Sequence, residues 1–248
     1  MIEEILAHHI LDHSFGISLF GFTLPITVHS LYMLGISVAM FLILVLILHG
    51  KSPMLKGAVE AFVAFVRDDI VLPNMGEEGR RFIPFFSTML LFLLFANYLG
   101  LVPEARTITA NLSITLGMAF VSGLLILGYS LKLNGIGGFL KTFVPEGVPW
   151  PLIPLIFILE VVSVIIRIFV LAIRLFANMA AGHMVLLGLF SFIFIIGAKG
   201  VWAGFGSSVP VLVMTLFVTT LELLVAAIQA YVFTLLTAIF TGLQMHSH

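Results

Sequence analysis

Ionisable side chains recur at helical spacing in the most apolar part of the chain. Glu160, Arg167 and Arg174 are each seven residues apart. Seven helical steps return to within about 20° of the starting direction, so the three share one helix face, which continues to Ala181 and Gly188. A guanidinium stays protonated in a protein, and a charge at the bilayer centre costs at least roughly 2.5 kcal/mol. We therefore expect Arg174 to face protein or water rather than lipid.

A second polar face lies on the last apolar segment, where Glu222 and Gln229 are also seven residues apart. A hairpin would bring this face against the preceding helix. His183 lies nine residues beyond Arg174, about half a turn away in direction, so Glu222 is its natural partner. A histidine and a carboxyl group can exchange a proton, which Asn, Gln and Ser side chains can guide through hydrogen bonds and water.

Two interpretations of these groups stay open. They could be buried ion pairs, Glu160 with Arg167 and Glu222 with Arg174, that hold two helices together. Such pairing does not explain five ionisable groups strung along two over-long helices, and this favours an ion pathway. The small residues on the arginine face predict that another helix packs there. No remaining segment of the chain looks like that helix, so we expect a separate subunit.

The composition is that of a polytopic membrane protein. Of the 248 residues, 61% are hydrophobic and only 9% are charged. No soluble domain of this size needs so much apolar sequence for its core. The chain contains no cysteine, which excludes disulfides and thiolate metal sites, and its net charge of −1 argues against a nucleic-acid partner.

Hydrophobic runs predict an all-α integral membrane protein with a single membrane domain, 1–248. We expect three upright spanning helices, one interfacial amphipathic helix, and a hairpin of two long, steeply tilted membrane helices. The predicted ranges are an outer amino-terminal segment 1–27, upright helices 28–50, 82–103 and 107–132, interfacial helix 52–72, and tilted helices 149–197 and 207–244. A loop rich in glycine and proline, 132–151, should separate the two halves.

The two hairpin segments are longer than a bilayer is thick. Their uninterrupted runs, 160–196 and 211–241, would extend about 55 and 46 Å as helices, against a hydrocarbon core of about 30 Å. Each is therefore either steeply tilted or divided by a tight turn. The nearest candidate for a turn, 177–183, lacks the polar residues that a turn at the membrane surface requires, so we favour the tilted hairpin.

The amino-terminal segment has acids where a signal peptide has basic residues, so we expect it to be mature sequence. It should begin with a short amphipathic helix in which His9 and His13 lie one turn apart. Because a third fixed ligand is missing, we assign no metal site and expect no cofactor. Asn97, near the end of the helix 82–103, should bond a neighbouring helix, with a water channel as the alternative.

Several motifs together resemble subunit a of rotary F-type ATP synthases, over the whole chain. They are R-L-F-A-N-M-A-A-G-H from Arg174 to His183, E-L-L-V-A-A-I-Q-A-Y-V-F from Glu222, A-N-Y-L-G-L-V-P up to Pro103, T-A-N-L-S-I-T around Asn111, and Glu160 fourteen residues before the arginine.

The resemblance implies a non-catalytic, proton-conducting stator subunit that couples proton flow to ring rotation and ATP synthesis. It implies that Arg174 faces an essential carboxylate on a ring of c subunits. The side chains implied to line the inlet half-channel are His183, Glu222, Asn178 and Gln229, to which we add Asn97; those on the outlet side are Glu160 and Ser163. Ala181 and Gly188 would pack against the ring.

Further partners implied are the b-type subunits of the peripheral stalk, the remainder of the synthase and membrane lipid. The location implied is the bacterial inner membrane. Counting basic residues places the amino terminus outside and the carboxy terminus in the cytoplasm, because seven loop Lys and Arg residues are then cytoplasmic and two are outside.

The chain departs from many bacterial relatives at His183, where they carry an acid, and at Glu222, where they carry histidine. This exchanged pattern resembles the mitochondrial subunit and its alphaproteobacterial kin. A stand-alone secondary transporter, or a proton channel with a midplane arginine, is the alternative function, although no inverted repeat supports it. An intramembrane hydrolase is a third, but H-E-x-x-H and G-x-S-x-G motifs are missing.

Overall fold

The computed structural model describes residues 14–19, 22–101, 111–141, 149–198 and 200–245. It begins with a β-hairpin that the sequence analysis did not anticipate: β1 (Ser14–Leu19) pairs antiparallel with β2 (Phe22–Thr27). Polar and apolar residues alternate along S-F-G-I-S-L, which is the two-residue period of a strand. The amphipathic helix and histidine pair predicted before residue 14 lie outside the described residues.

Beyond this hairpin the described elements are helical, and five helices are long and apolar enough to cross a membrane, which confirms the predicted multi-pass, all-α membrane domain. They are α1 (Val28–His49), α4 (Ile83–Gly100), α5 (Leu112–Lys141), α6 (Ile153–Gly197) and α7 (Val201–Met245). The helices α2 (Pro53–Phe65) and α3 (Leu72–Met75) lie between α1 and α4. Single-turn or two-turn 3₁₀ helices, Glu77–Phe82 and Trp150–Leu152, precede α4 and α6.

The segment between α1 and α4 is less regular than the predicted single helix 52–72. Pro53 opens α2, since the first helical turn has no use for the N–H that proline lacks. A π-helical turn, Val66–Val71, then separates α2 from α3. Its wider winding places Val66, Ile70 and Val71 together in the core. We call residues 53–75 the interfacial segment.

The helix α5 is shifted relative to its predicted range, 107–132. It begins at Leu112 because the Asn111 Oδ1 atom accepts a hydrogen bond from the Ser113 N–H at 2.9 Å, as a helix-capping side chain does. Helical turns continue to Lys141, in the first half of the predicted loop 132–151, but a kink at Gly135 divides them from the rest of α5. Among the described glycines of this loop, Gly135 leaves the helical conformation, with φ of 63°. The remainder of that loop up to residue 148 is not described.

The helices α6 and α7 are each 45 residues long, or about 67 Å. No chain reversal interrupts α6, so the favoured alternative of two long helices is the observed one. The helix α7 begins at Val201, earlier than the predicted 207, and contains Pro210 within its first turns. At the apex between them, a Cβ atom on Gly204 would lie 3.0 Å from the Gly197 Cα atom. The inclination of this hairpin to a bilayer stays a prediction.

The core forms where the second half of α7 meets α4, α5, α6 and the interfacial segment. Phe86, Leu175 and Phe233 are among its fully buried side chains. A small residue lets α5 approach α6 closely: a Cβ atom on Gly123 would come within 2.6 Å of the Ile168 Cδ1 atom. The core therefore holds the halves of α6 and α7 that are remote from the apex.

Candidate functional site

His183 on α6 and Glu222 on α7 meet across the hairpin. The His183 Nδ1 atom lies 3.5 Å from the Glu222 Oε1 atom and 3.1 Å from the Met179 carbonyl oxygen, and the ring also faces the backbone of Gly100. Glu222 is 8% exposed, and its carboxyl group packs directly on Gly182. The predicted partners are thus neighbours, a half-buried histidine and a buried carboxyl group at ion-pair distance.

Amide side chains extend this polar region along α7. The Asn178 Nδ2 atom donates a hydrogen bond to the Gln229 Oε1 atom at 2.9 Å, and the Asn97 Nδ2 atom donates to the Ala226 carbonyl oxygen at 3.0 Å. Asn97 is fully buried, so it joins α4 to α7 as the interhelical interpretation predicts. A row of polar groups therefore follows one side of α7 from residue 222 to residue 229.

Several atoms in this row have no hydrogen-bonding partner among the described residues. They are the Asn97 Oδ1 atom, the Gln229 Nε2 atom and both Glu222 carboxyl oxygens. A buried polar atom without a partner costs about 1 to 3 kcal/mol, and a water molecule with several polar neighbours removes that cost. This arrangement suits a hydrated path better than a sealed, structural polar contact.

Arg174 is half-buried, and no described side chain forms a hydrogen bond or ion pair with it. The possible ion pair with Glu222 is therefore absent, since Glu222 faces His183 instead. The cross-helix contacts 178 to 229 and 167 to 240 share one antiparallel register, which puts the buried Phe233 level with Arg174. The hairpin thus offers this cation an apolar neighbour rather than an anion.

Arg167, seven residues before Arg174 on α6, contacts two other side chains. Its Nη2 atom lies 3.4 Å from the Glu160 Oε1 atom, and its guanidinium carbon lies 5.3 Å from the centroid of the Phe240 ring on α7. The second possible ion pair of the sequence analysis, Glu160 with Arg167, is therefore present. Both side chains keep about a third of their surface exposed, at 35% each.

The other predicted residues lie along α6 without comparable partners in the hairpin. Ser163 is half-buried, one turn beyond Glu160. Ala181 and Gly188 are exposed, and a Cβ atom on Gly188 would meet no atom within 4 Å. Within the described part of the chain, nothing covers this stretch of the arginine face. Among the described residues, no three His, Asp or Glu side chains converge as metal ligands.

Sequence reasoning missed Gly182 and Phe240 as parts of the site. Gly182 had a signal, because it precedes His183 in a helix with few glycines, but its contact with Glu222 depends on the register of the hairpin. Phe240 had none, because it is one of 24 phenylalanines in an apolar chain. Only the fold tells which aromatic ring an arginine reaches.

Comparison with known proteins gives a consistent result. A family described as "ATP synthase A chain" matches residues 30–242. The "ATP synthase subunit a" of Maricaulis maris is 35% identical over 99% of this chain and 96% of its own length. The protein of the same name from Rhodopseudomonas palustris strain TIE-1 is 37% identical over 91% of this chain and 90% of its own.

Two longer relatives, also named "ATP synthase subunit a", come from Anaeromyxobacter dehalogenans. The strain 2CP-1 protein is 42% identical over 77% of this chain, and the strain 2CP-C protein is 40% identical over 87%. The matched regions make up only 49% and 57% of those two proteins. The chain thus spans about half the length of these relatives and nearly all of the two shorter ones.

Proposed function

We propose that this chain, which belongs to the ATP synthase subunit a family, is the proton-conducting stator subunit of an F-type ATP synthase. In this role it provides two offset half-channels to a ring of c subunits and couples proton flow to ring rotation and ATP synthesis. The chain performs no catalytic step itself. The proposal rests on one observation above the others: no described side chain pairs with the guanidinium of Arg174, which lies between two polar regions of the hairpin.

The inlet half-channel follows the polar row on α7. A proton arriving from outside passes the contact between His183 and Glu222 and continues along Asn97, Asn178 and Gln229. The unsatisfied buried atoms of this row support the assignment, because they can hold the water molecules through which a proton moves. The proton then reaches a carboxylate on the ring and neutralises it, so that the site can turn into lipid.

Arg174 acts on the ring carboxylate when it returns. A guanidinium at membrane depth favours an anionic partner, and a carboxylate matches its planar, two-donor geometry. Its fixed positive charge favours the ionised carboxylate and so releases the proton towards the outlet side, where Glu160 and Ser163 lie. Arginine suits this position better than lysine, because a desolvated lysine can lose its proton and enter a proton relay.

The surroundings of α6 support the ring as a partner. Ala181 and Gly188 leave the arginine face open, and small residues let a neighbouring helix approach closely. The b-type subunits of a peripheral stalk and the remainder of the synthase complete the assembly. We place the chain in the bacterial inner membrane with its amino terminus outside and its carboxy terminus in the cytoplasm, following the distribution of basic residues.

Replacement of Arg174 tests the function directly. In vesicles with an imposed proton gradient, Arg174→Ala should abolish ATP synthesis and raise passive proton leak, because nothing then separates the half-channels. One charge crossing 100 mV releases about 2.3 kcal/mol, so such a leak dissipates the gradient readily. Arg174→Lys should also fail to synthesise ATP but should leak less than the alanine variant.

The neighbouring Ile173, whose side chain is exposed on another side of α6, provides the matched control as Ile173→Ala. Both variants need to be present in the assembled complex at comparable amounts. Synthesis by Arg174→Ala vesicles at a rate close to that of the control would contradict the proposed function.

A further inference from the structure

The two arginines on α6 share a helix face but have different surroundings. Arg167 and Arg174 are seven residues apart, which is about 10 Å along the helix. Arg167 contacts the Glu160 carboxylate at 3.4 Å and the face of the Phe240 ring at 5.3 Å. Arg174 has neither an anionic nor an aromatic partner of this kind within the described ranges. Arg167 is therefore engaged by Glu160 and Phe240, whereas Arg174 is available to another partner.

If both guanidinium groups were available, a ring carboxylate that moves past α6 could pair with either of them. Carboxylate–guanidinium pairs are strong, often bidentate, and strongest where water is excluded. A ring carboxylate that can pair with either arginine has two stopping positions instead of one. The second would lie next to Glu160, on the side from which protons are meant to leave.

We propose that Glu160 and Phe240 together sequester Arg167, so that a ring carboxylate pairs with Arg174 alone. The inference rests on the proposed function, and it makes Phe240 and Arg167 residues that set where the carboxylate stops. The contact between the guanidinium and the ring gives Arg167 a partner from α7 that is not an acid. A second carboxylate here would introduce another proton acceptor beside Glu160, whereas an aromatic ring accepts no proton.

Phe240→Leu tests the sequestration. Leucine keeps the position apolar but lacks the aromatic face, so Arg167 should spend more time released. We expect the rate of gradient-driven ATP synthesis to fall about threefold, a size typical of a lost cation–π contact. Phe240→Tyr keeps the aromatic face and should retain the wild-type rate.

A double-mutant comparison separates this effect from a loss of packing. If the defect of Phe240→Leu comes from a released Arg167, it should disappear when the cation is absent. The double variant Phe240→Leu/Arg167→Gln should therefore synthesise ATP as fast as Arg167→Gln alone. A threefold loss in both backgrounds would mean that Phe240 acts only through packing, and this result would overturn the inference.

Single-molecule rotation provides a readout that a structural role would not change. Under a proton gradient, Phe240→Leu should add a second pause per ring step, and Arg167→Gln should remove it; its absence would contradict the inference. If Phe240→Leu does not assemble, Phe240→Met replaces it in the same comparisons. If Phe240→Leu adds no pause while Arg174→Ala still abolishes ATP synthesis, the sequestration of Arg167 is wrong and the proposed function stands. If Arg174→Ala vesicles synthesise ATP, the proposed function is wrong as well.

Discussion

At the scale of single residues, the site depends on a glycine, Gly182, because a side chain at this position would collide with Glu222. Gly182 precedes His183 on α6, and the Glu222 carboxyl group of α7 rests against its backbone. A Cβ atom at this position would lie 2.6 Å from the Glu222 Cδ atom, closer than such atoms approach in folded proteins. Glycine thus permits the carboxyl group to lie beside α6, within reach of the histidine.

We predict that Gly182→Ala displaces the Glu222 side chain and interrupts the inlet path. A misplacement of about 1 Å in a reacting group can cost up to about 100-fold, so we expect gradient-driven ATP synthesis to fall at least about tenfold. Gly35→Ala on α1 is the control, because a Cβ atom there meets no atom within 4 Å. Equal rates for these two variants, at equal amounts of assembled complex, would show that the contact does not matter.

At the scale of elements, the interfacial segment and the end of α7 are joined through backbone atoms. The Asn74 carbonyl oxygen lies directly against Gly242, and a Cβ atom on Gly242 would be 2.9 Å from the Asn74 carbonyl carbon. The buried hydroxyls of α7 nearby, Thr237 and Thr241, donate to carbonyl oxygens four residues earlier in their own helix. These hydroxyls therefore do not link the two elements, which meet through buried apolar side chains and through this close backbone contact.

We predict that Gly242→Ala separates the interfacial segment from α7, because a backbone carbonyl cannot move aside as a flexible side chain can. Trypsin cleavage after the exposed Arg67 should then become faster, since the segment opens more often. Gly57→Ala in α2 introduces the same methyl group into open space and serves as the control. Cleavage that is no faster than in this control would argue against the contact.

The sequence predicted the elements better than the contacts between them. Long apolar runs identify spanning helices because burial in lipid demands them, and the seven-residue spacing pairs polar faces without knowledge of the fold. The approach of His183 to Glu222 follows from that reasoning. The partner of Arg167 on α7 does not, because any of several phenylalanines satisfies the same pattern. The strands β1 and β2 do not follow from composition, because only the two-residue period of this short segment indicates them.

At the scale of the whole molecule, the charged interfacial segment and the hairpin apex lie at opposite ends. The contact of Asn74 with Gly242 places this segment beside the end of α7, about 60 Å of helix away from the apex. Arg67 hydrogen-bonds Asp68 and lowers the pKa of that carboxyl group, so the pair stays charged at neutral pH and favours a solvated position. Trp202, 89% exposed, marks the apex.

We predict that Glu78→Cys is labelled by a membrane-impermeant thiol reagent from the cytoplasmic side only, and Trp202→Cys from the outer side only. The unmodified chain contains no cysteine and provides the blank. Intact cells and inverted membrane vesicles give the two directions of access. The reverse pattern would overturn the proposed orientation, and labelling of both positions from one side would contradict the separation of the two ends.

The position of α7 in the chain has a consequence for biosynthesis. The ribosome makes α7 after every other described helix, yet α4, α5, α6 and the interfacial segment all pack against it. When α6 enters the membrane, Glu160 and Arg167 can pair at once because both are on that helix. His183 must wait for its partner on α7. At about 5 to 20 residues per second, translation of the 45 residues of α7 takes about 2 to 9 s, and for that interval the insertion machinery has to keep the polar side of α6 away from lipid.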